Sequence, residues 1–274
     1  MPKINGTFIC LHSCSRTLSP YYNTLEFANR LCLADCFTGG DPPYRDSYIA
    51  VDNNEITQRL LTEGVPGKLF FVESNCAHNV SYFLSKCAYE QLNLAEEGQK
   101  FLIVNFDQHE DYEGVTQDLF CGNWGAHVCQ TLRCDYLIVG RGQNKDALLI
   151  NYVEGKKPIR QKGRKPADIN NIISEYDKLY VTVDMDVLNG KETNIQRTNW
   201  VHGANKIDDL CSWLRGLPAG KIIAADITGF PPKRDKNGAL VPPKKQGVQD
   251  GYLQDIVEVA KAICTPMGIN YEIN

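Results

Sequence analysis

Apolar residues in this chain gather in short runs of the length strands require. Such runs occupy residues 4–11, 48–51, 68–72, 101–106, 135–139, 147–152, 179–183 and 221–225. Between many of them the spacing changes to that of a helix. Val80, Phe83, Leu84, Cys87 and Ala88 recur at intervals of about three to four and form one apolar stripe. Leu253, Ile256, Val257, Ala260 and Ile263 form another. Residues 22–33, 55–61, 167–176 and 208–214 are further helix candidates. Strands that are apolar throughout, alternating with amphipathic helices, predict a sheet buried on both faces. The expected architecture is α/β, a three-layer α/β/α arrangement around a mostly parallel central sheet of about eight strands. No internal repeat or low-complexity linker interrupts the pattern, so residues 1–274 read as a single domain.

Two of the strand-like runs end in chemistry. FLIVNFDQHEDYEG passes from an apolar run into Asp107-x-His109-x-Asp111, and LYVTVDMD passes into Asp184-x-Asp186. Side chains two apart on extended chain share a face, so each cluster aims its donors at one point past a strand's carboxyl end. In a parallel sheet that is where ligand crevices form. Carboxylate and imidazole donors suit a hard divalent ion such as Mn2+. Four carboxylates in one place also repel each other unless cations neutralise them.

The chain has five histidines: His12, His78, His109, His127 and His202. His78 opens the helical segment after the run at 68–72, with Asn75 as a candidate cap, and so reaches a strand's carboxyl edge. It is the expected sixth ligand. His127 follows the DxHxD segment closely enough to reach the same crevice. His12 and His202 sit in loops after the first strand and after DMD, where structural roles are expected of them.

Composition narrows the rest. A hydrophobic content of 43% and a charged content of 23% are ordinary for a soluble globular chain. A formal net charge of −4 gives no global electrostatic case for nucleic acid or an anionic membrane. No stretch approaches the ~18 apolar residues of a membrane span, and MPKINGTFICLHSC lacks the features of a signal peptide. A cytoplasmic location is expected. The 11 cysteines are odd in number and contain no CxxC, so reduced buried thiols are expected rather than a zinc–thiolate site. The segment 155–166, GKKPIRQKGRKP, has six basic residues and no acidic one, and reads as a solvated loop.

The metal-type residues resemble the ureohydrolase superfamily, the arginase and agmatinase type of binuclear manganese enzyme. The likeness runs from about residue 69 to residue 232. His78 in NCAHN stands where that family has Gly-Gly-Asp-His-Ser. Asp107, His109 and Asp111 stand in its Asp-Ala-His-x-Asp, and Asp184 and Asp186 in its Ser-x-Asp-x-Asp. The resemblance implies two Mn2+ per chain, with Asp107 and Asp184 bridging. His78 and Asp111 would complete one site, and His109 and Asp186 the other. The family's Gly-Asn-x-His-Gly appears as GNWGAH, with the histidine two places later; this implies His127 as proton shuttle, while Asn123 and, secondary to a structural role, His202 are the candidate substrate contacts. Where the family has Asp-x-x-Glu-x-x-Pro, with the Glu pairing the substrate guanidinium, Asp226 and Pro232 align but the Glu position is Gly229.

The function so implied is hydrolysis of a C–N bond in a linear guanidine or amidine other than arginine. The ion pair would activate a water as hydroxide, Asp111 would orient it, and His127 would protonate the leaving amine. Two alternatives compete: an amide hydrolase of the related deacetylase type, and a non-enzymatic binding member that keeps its metals. The partner expected is a small-molecule substrate. Oligomers are common in that family, so a homo-oligomer fits the resemblance, although the sequence marks no interface.

Overall fold

A computed structural model describes residues 3–11, 26–39, 48–50, 52–72, 77–141, 146–164, 168–189, 205–228 and 246–270. In chain order the strands are β1 (Lys3–Cys10), β2 (Glu26–Cys32), β3 (Phe37–Gly39), β4 (Tyr48–Ala50), β5 (Leu69–Val72), β6 (Phe101–Phe106), β7 (Asp135–Arg141), β8 (Asp146–Asn151), β9 (Ile159–Arg164), β10 (Lys178–Asp184) and β11 (Ile222–Thr228). The helices are α1 (Asn53–Glu63), α2 (Val80–Gln91), α3 (Trp124–Leu132), α4 (Ile169–Ser174), α5 (Ile207–Arg215) and α6 (Gln246–Met267).

Strand β6 shows why three layers form. All six of its residues are buried. Leu102, Val104 and Phe106 point into one apolar cluster with residues of α4, α5 and α6. Phe101 and Ile103 point the other way, into a cluster with residues of α1, α2 and α3. A strand apolar on both faces has to be covered on both, and the period of two divides its side chains between the covers.

Nine described strands make one sheet in the order β2-β1-β5-β11-β10-β6-β7-β8-β9. The first seven run parallel; β8 pairs antiparallel with β7, and β9 antiparallel with β8. The α/β/α expectation therefore stands, with nine strands in place of about eight. Of residues 48–51, expected in the sheet, Tyr48–Ala50 form β4, which among the described residues pairs with β3 in a separate two-stranded ribbon.

Two elements differ in kind from the expectation. The helix expected over 22–33 is replaced, in its described part, by β2, which pairs in parallel with β1, Phe8 opposite Arg30 and Ile9 opposite Leu31. Leu25, Phe27, Leu31 and Leu33 fit a period of two as well as one of four, and the open edge of β1 selects the strand. The basic segment 155–166 is not wholly loop, because β9 within it pairs antiparallel with β8. An edge strand rich in Lys and Arg lacks apolar alternation for the same reason that it resists pairing with another chain.

Near the end of β7 the chain passes through Gly140 at φ +91, where an added Cβ would stand 2.5 Å from Val187 Cγ2 and 2.7 Å from Asn205 Nδ2. The Asn205 amide donates to Gly140 O at 3.2 Å and Val187 O at 3.0 Å, tying the ends of β7 and β10 together. Gly140→Ala should therefore cost about 3 kcal/mol, from overpacking and a left-handed backbone together. Chemical denaturation checks this; an unchanged midpoint would contradict it.

Candidate metal centre

The four middle strands β5, β11, β10 and β6 are neighbours and parallel, so their carboxyl ends open on one crevice. Val183 of β10 is in register with Phe106 of β6, which sets Asp184 beside Asp107. His78 comes in from the turn after β5, just ahead of α2. Asn75, the candidate cap, lies outside the described residues. The helix's N-cap position is Asn79, whose amide donates to Leu119 O at 3.1 Å.

All six ligand-type side chains come together there. His78, Asp107 and Asp111 form one group and Asp107, His109 and Asp186 another, the donor atoms within each lying within 4.8 Å of one another. Asp107 belongs to both and turns one oxygen to each: Oδ2 is 3.3 Å from His78 Nδ1, and Oδ1 is 3.6 Å from His109 Nδ1. Asp111 Oδ2 stands 2.9 Å from His78 Nδ1, and Asp186 Oδ2 2.9 Å from His109 Nδ1. Asp184 Oδ2 is 3.7 Å from His78 Nδ1, while Asp184 Oδ1 accepts the Asp186 N–H at 3.0 Å.

The fit to an ion shows in His78. Its ring is fully buried, and its Nδ1 has no aligned hydrogen bond despite three carboxylate oxygens around it. On the other side, Nε2 lies 2.8 Å from Thr182 Oγ1, and that hydroxyl donates to Asp226 Oδ1 at 2.9 Å. With its hydrogen spent on Asp226, the Thr182 oxygen accepts from Nε2. The neutral ring therefore carries its proton on Nε2 and a lone pair on Nδ1, the form that ligates a metal. Ser81 Oγ at 3.0 Å and Tyr180 OH at 2.5 Å also donate to Asp226 and hold the carboxylate in place.

Electrostatics points the same way. Burial alone would lower the His78 pKa, yet the close carboxylates of Asp107 and Asp111 push it well above the ordinary value. Hydrogen bonds to Asp107 and Asp186 raise His109 to about 12. Burial raises Asp184 well above the usual carboxylate range, helped by the charges of Asp186 and Asp107. Burial, reinforced by Asp107, takes Asp186 to about 6. Asp107 is held low: burial would raise it, but His109 and His78 outweigh burial. Without an ion, protons on two imidazoles provide the positive charge that the carboxylates demand.

The other expected residues fare differently. His127, on α3, belongs to neither group; its Nε2 accepts the Thr116 N–H at 3.4 Å and its ring meets the edge of Tyr82. Asn123, expected to contact substrate, is buried within its own loop. Its Oδ1 accepts from Phe120 N at 2.9 Å, and its Nδ2 donates to Thr116 Oγ1 and Asp118 O, both at 2.9 Å. Its amide is spent bracing the segment 116–123 rather than facing the crevice. His12, His202, Gly229 and Pro232 lie outside the described residues. In the DxHxD segment, Glu110 pairs with Arg141 and with Arg160 of β9, which also stands 5.9 Å over the Tyr112 ring. Part of the basic segment is thus an anchor for that loop.

Several supporting residues escaped the sequence. Thr182 and Asn105 precede Asp184 and Asp107 by two positions, so the strand period places them on the same faces; Asn105 Nδ2 donates to Asp107 Oδ2 at 3.1 Å. Asp226 is the register partner of Thr182 across β10 and β11. Trp124, whose indole N–H donates to Asp111 Oδ2 at 2.9 Å, carries no local signal of that contact.

The mostly parallel sheet between two helical layers is the fold of solved arginase-like structures, and the chain shares that fold. It is similar to proclavaminate amidino hydrolase from Streptomyces clavuligerus over 97% of its own length and 93% of that chain, at 11% identity and a TM-score of 0.54. It is similar to Entamoeba histolytica arginase, solved with L-ornithine, over 94% and 99% of the two chains, at 10% identity and a TM-score of 0.53. Formimidoylglutamase from Bacillus subtilis matches over 98% and 88%, at 11% identity and a TM-score of 0.51. In sequence, an uncharacterized protein of Thermotoga maritima is 28% identical over 160 residues, 56% of this chain and 54% of that one, so the match spans about half of each. No protein-family model matches the chain. No helix among the described residues is long and apolar enough to cross a membrane.

Proposed function

We propose that this chain is a metal-dependent hydrolase that holds two divalent ions, manganese by preference, and cleaves a C–N bond of a small linear amidine or guanidine other than arginine. The observation that carries the reading is Asp107, with one oxygen turned to each of two ligand groups that each contain a histidine Nδ1. Oxygen-rich sites with imidazole suit Mn2+ better than thiophilic ions. Such a pair of ions would supply the Lewis acidity that makes hydroxide available from water near neutral pH.

The chain's own residues supply the rest. Asp107 would join the two ions, Asp184, near His78 and bonded to the Asp186 N–H, would assist it, and Asp111 would orient the nucleophile. The His109 side chain is 42% exposed whereas the His78 side chain is 1% exposed, so the crevice opens on the His109 side and substrate enters there. An sp2 carbon bearing nitrogen fits such a centre, and the activities named for the solved neighbours support that class. Gly229 offers no carboxylate to a guanidinium, which removes the bidentate bond that would select arginine. Among the described contacts none ties His127 to the centre, so proton delivery to the leaving amine is not assigned to it.

The test is metal analysis of Mn-loaded protein together with a panel of amidines, guanidines and acylated amines. Two ions per chain and release of amine or urea from an amidine or guanidine are expected; failure to retain any ion would overturn the reading, and turnover of acylated amines alone would favour the deacetylase type. L-arginine should release urea slowly or not at all, and rapid release would show that recognition does not depend on position 229. His109→Ala should lose one ion per chain and keep the other. Unchanged metal content would contradict the two-group assignment.

A further inference from the structure

Asp111 has φ +48, a left-handed conformation that non-glycine residues adopt sparingly and that needs support from its surroundings. The support comes from the start of α3. Gly125 N–H donates to Asp111 O at 3.0 Å and Glu113 N–H to Gly122 O at 3.0 Å, so residues 111–113 lie against residues 122–125. The approach is so close that a Cβ on Gly125 would stand 2.9 Å from Asp111 O and 2.8 Å from Tyr136 Cζ. Trp124 itself is fully buried. Its indole N–H donates to Asp111 Oδ2, and its ring packs on His78 with centroids 5.0 Å apart and on Tyr136 at 5.5 Å. Tyr136 OH accepts from Asn105 Nδ2 at 2.8 Å, and the same amide donates to Asp107 Oδ2. One buried indole thus touches two members of the His78–Asp107–Asp111 group and reaches the third through Tyr136 and Asn105.

We infer that Trp124 is a positioning residue for one of the two ions: it fixes the Asp111 carboxylate and the His78 ring for the ion they would share. The inference rests on reading the six side chains as an ion-binding centre. The other group meets Asp107 through its opposite oxygen, and its histidine pairs directly with Asp186. The influence of Trp124 should accordingly be unequal. Trp124→Phe keeps a ring but removes the N–H, and should weaken one ion by about 10–100-fold while leaving the other near wild-type affinity, the usual cost of losing a residue that orients a ligand.

Calorimetric titration of metal-free protein with Mn2+ reads both affinities, with circular dichroism as the control for folding. Two wild-type ions, of which one weakens selectively in Trp124→Phe, is the expected result. Equal affinities in wild type and variant would overturn the positioning role and leave the two-ion centre intact. A wild type that binds no Mn2+ would overturn both. If the variant does not fold, the wild type answers by itself. In 15N-labelled protein, with the other two indoles assigned through Trp200→Phe and Trp213→Phe, Zn2+ should shift the Trp124 indole N–H resonance. A resonance unmoved at saturating Zn2+ would overturn the inference.

Discussion

Asp107→Ala should remove both ions at once and with them about 1000-fold or more of any hydrolytic rate, equivalent to roughly 4 kcal/mol of transition-state stabilisation. The expectation follows from position. Asp107 is the one residue common to both ligand groups, and its two oxygens face different histidines. His109→Ala, by contrast, touches one group. The loss need not come through unfolding. In metal-free protein Asp107 lies among three other buried or nearly buried carboxylates but also pairs with His78 and His109, so the variant gives up some metal-free stability as well. Thermal unfolding with and without Mn2+ separates the effects. An ion at 1000 times its dissociation constant stabilises by about 4 kcal/mol, so wild type should shift strongly upward on adding Mn2+. The variant should not shift. A variant that still retained one ion per chain would show that the two groups do not share this ligand.

The central chemistry was legible because it is written in a period of two. Asp107, His109 and Asp111 follow a wholly buried strand, and so do Asp184 and Asp186, which is enough to place five donors at one end of a parallel sheet. His78 could be added because its turn follows another such strand. What could not be read depends on pairing between distant segments. β2 is a strand because β1 offers it an edge; its own spacing suits a helix as well. β9 has few apolar residues because it is an edge, so the pattern that reveals buried strands is missing. Asp226 acquires its task only through the register that sets it beside Thr182, and Trp124 only through the folding of its loop against Asp111. Asn123, expected as a substrate contact, has its amide hydrogen-bonded within the segment 116–123, a local use that the motif does not reveal.

Uptake of Mn2+ at pH 7 should release about two protons per chain, one each from His78 and His109, plus any carried by Asp184, because an ion can bind only the deprotonated donors. The signs follow from the directions of the shifts. His109 is raised from 6.5 to about 12, so its contribution to metal-free stability is complete below 6.5 and is lost as pH climbs toward 12. His78, also raised, acts in the same direction. Asp186 is raised from 3.8 to about 6; its burial costs nothing extra below 3.8, and the full penalty is present above 6. Asp107 is lowered, so its contribution is present above 3.8 and lost in acid. Together these make the metal-free fold most stable near pH 4 and progressively weaker as pH rises from there toward the alkaline range. The ion-loaded protein should behave oppositely, since its affinity for Mn2+ grows as the competing protons leave. Unfolding temperatures from pH 5.5 to 9, in chelator and in excess Mn2+, should therefore diverge as pH rises. Titration in buffers of different ionisation enthalpy counts the protons directly. Parallel curves with no proton release would mean that the imidazoles do not occupy the place of the ions, and the electrostatic account of the centre would fail with them.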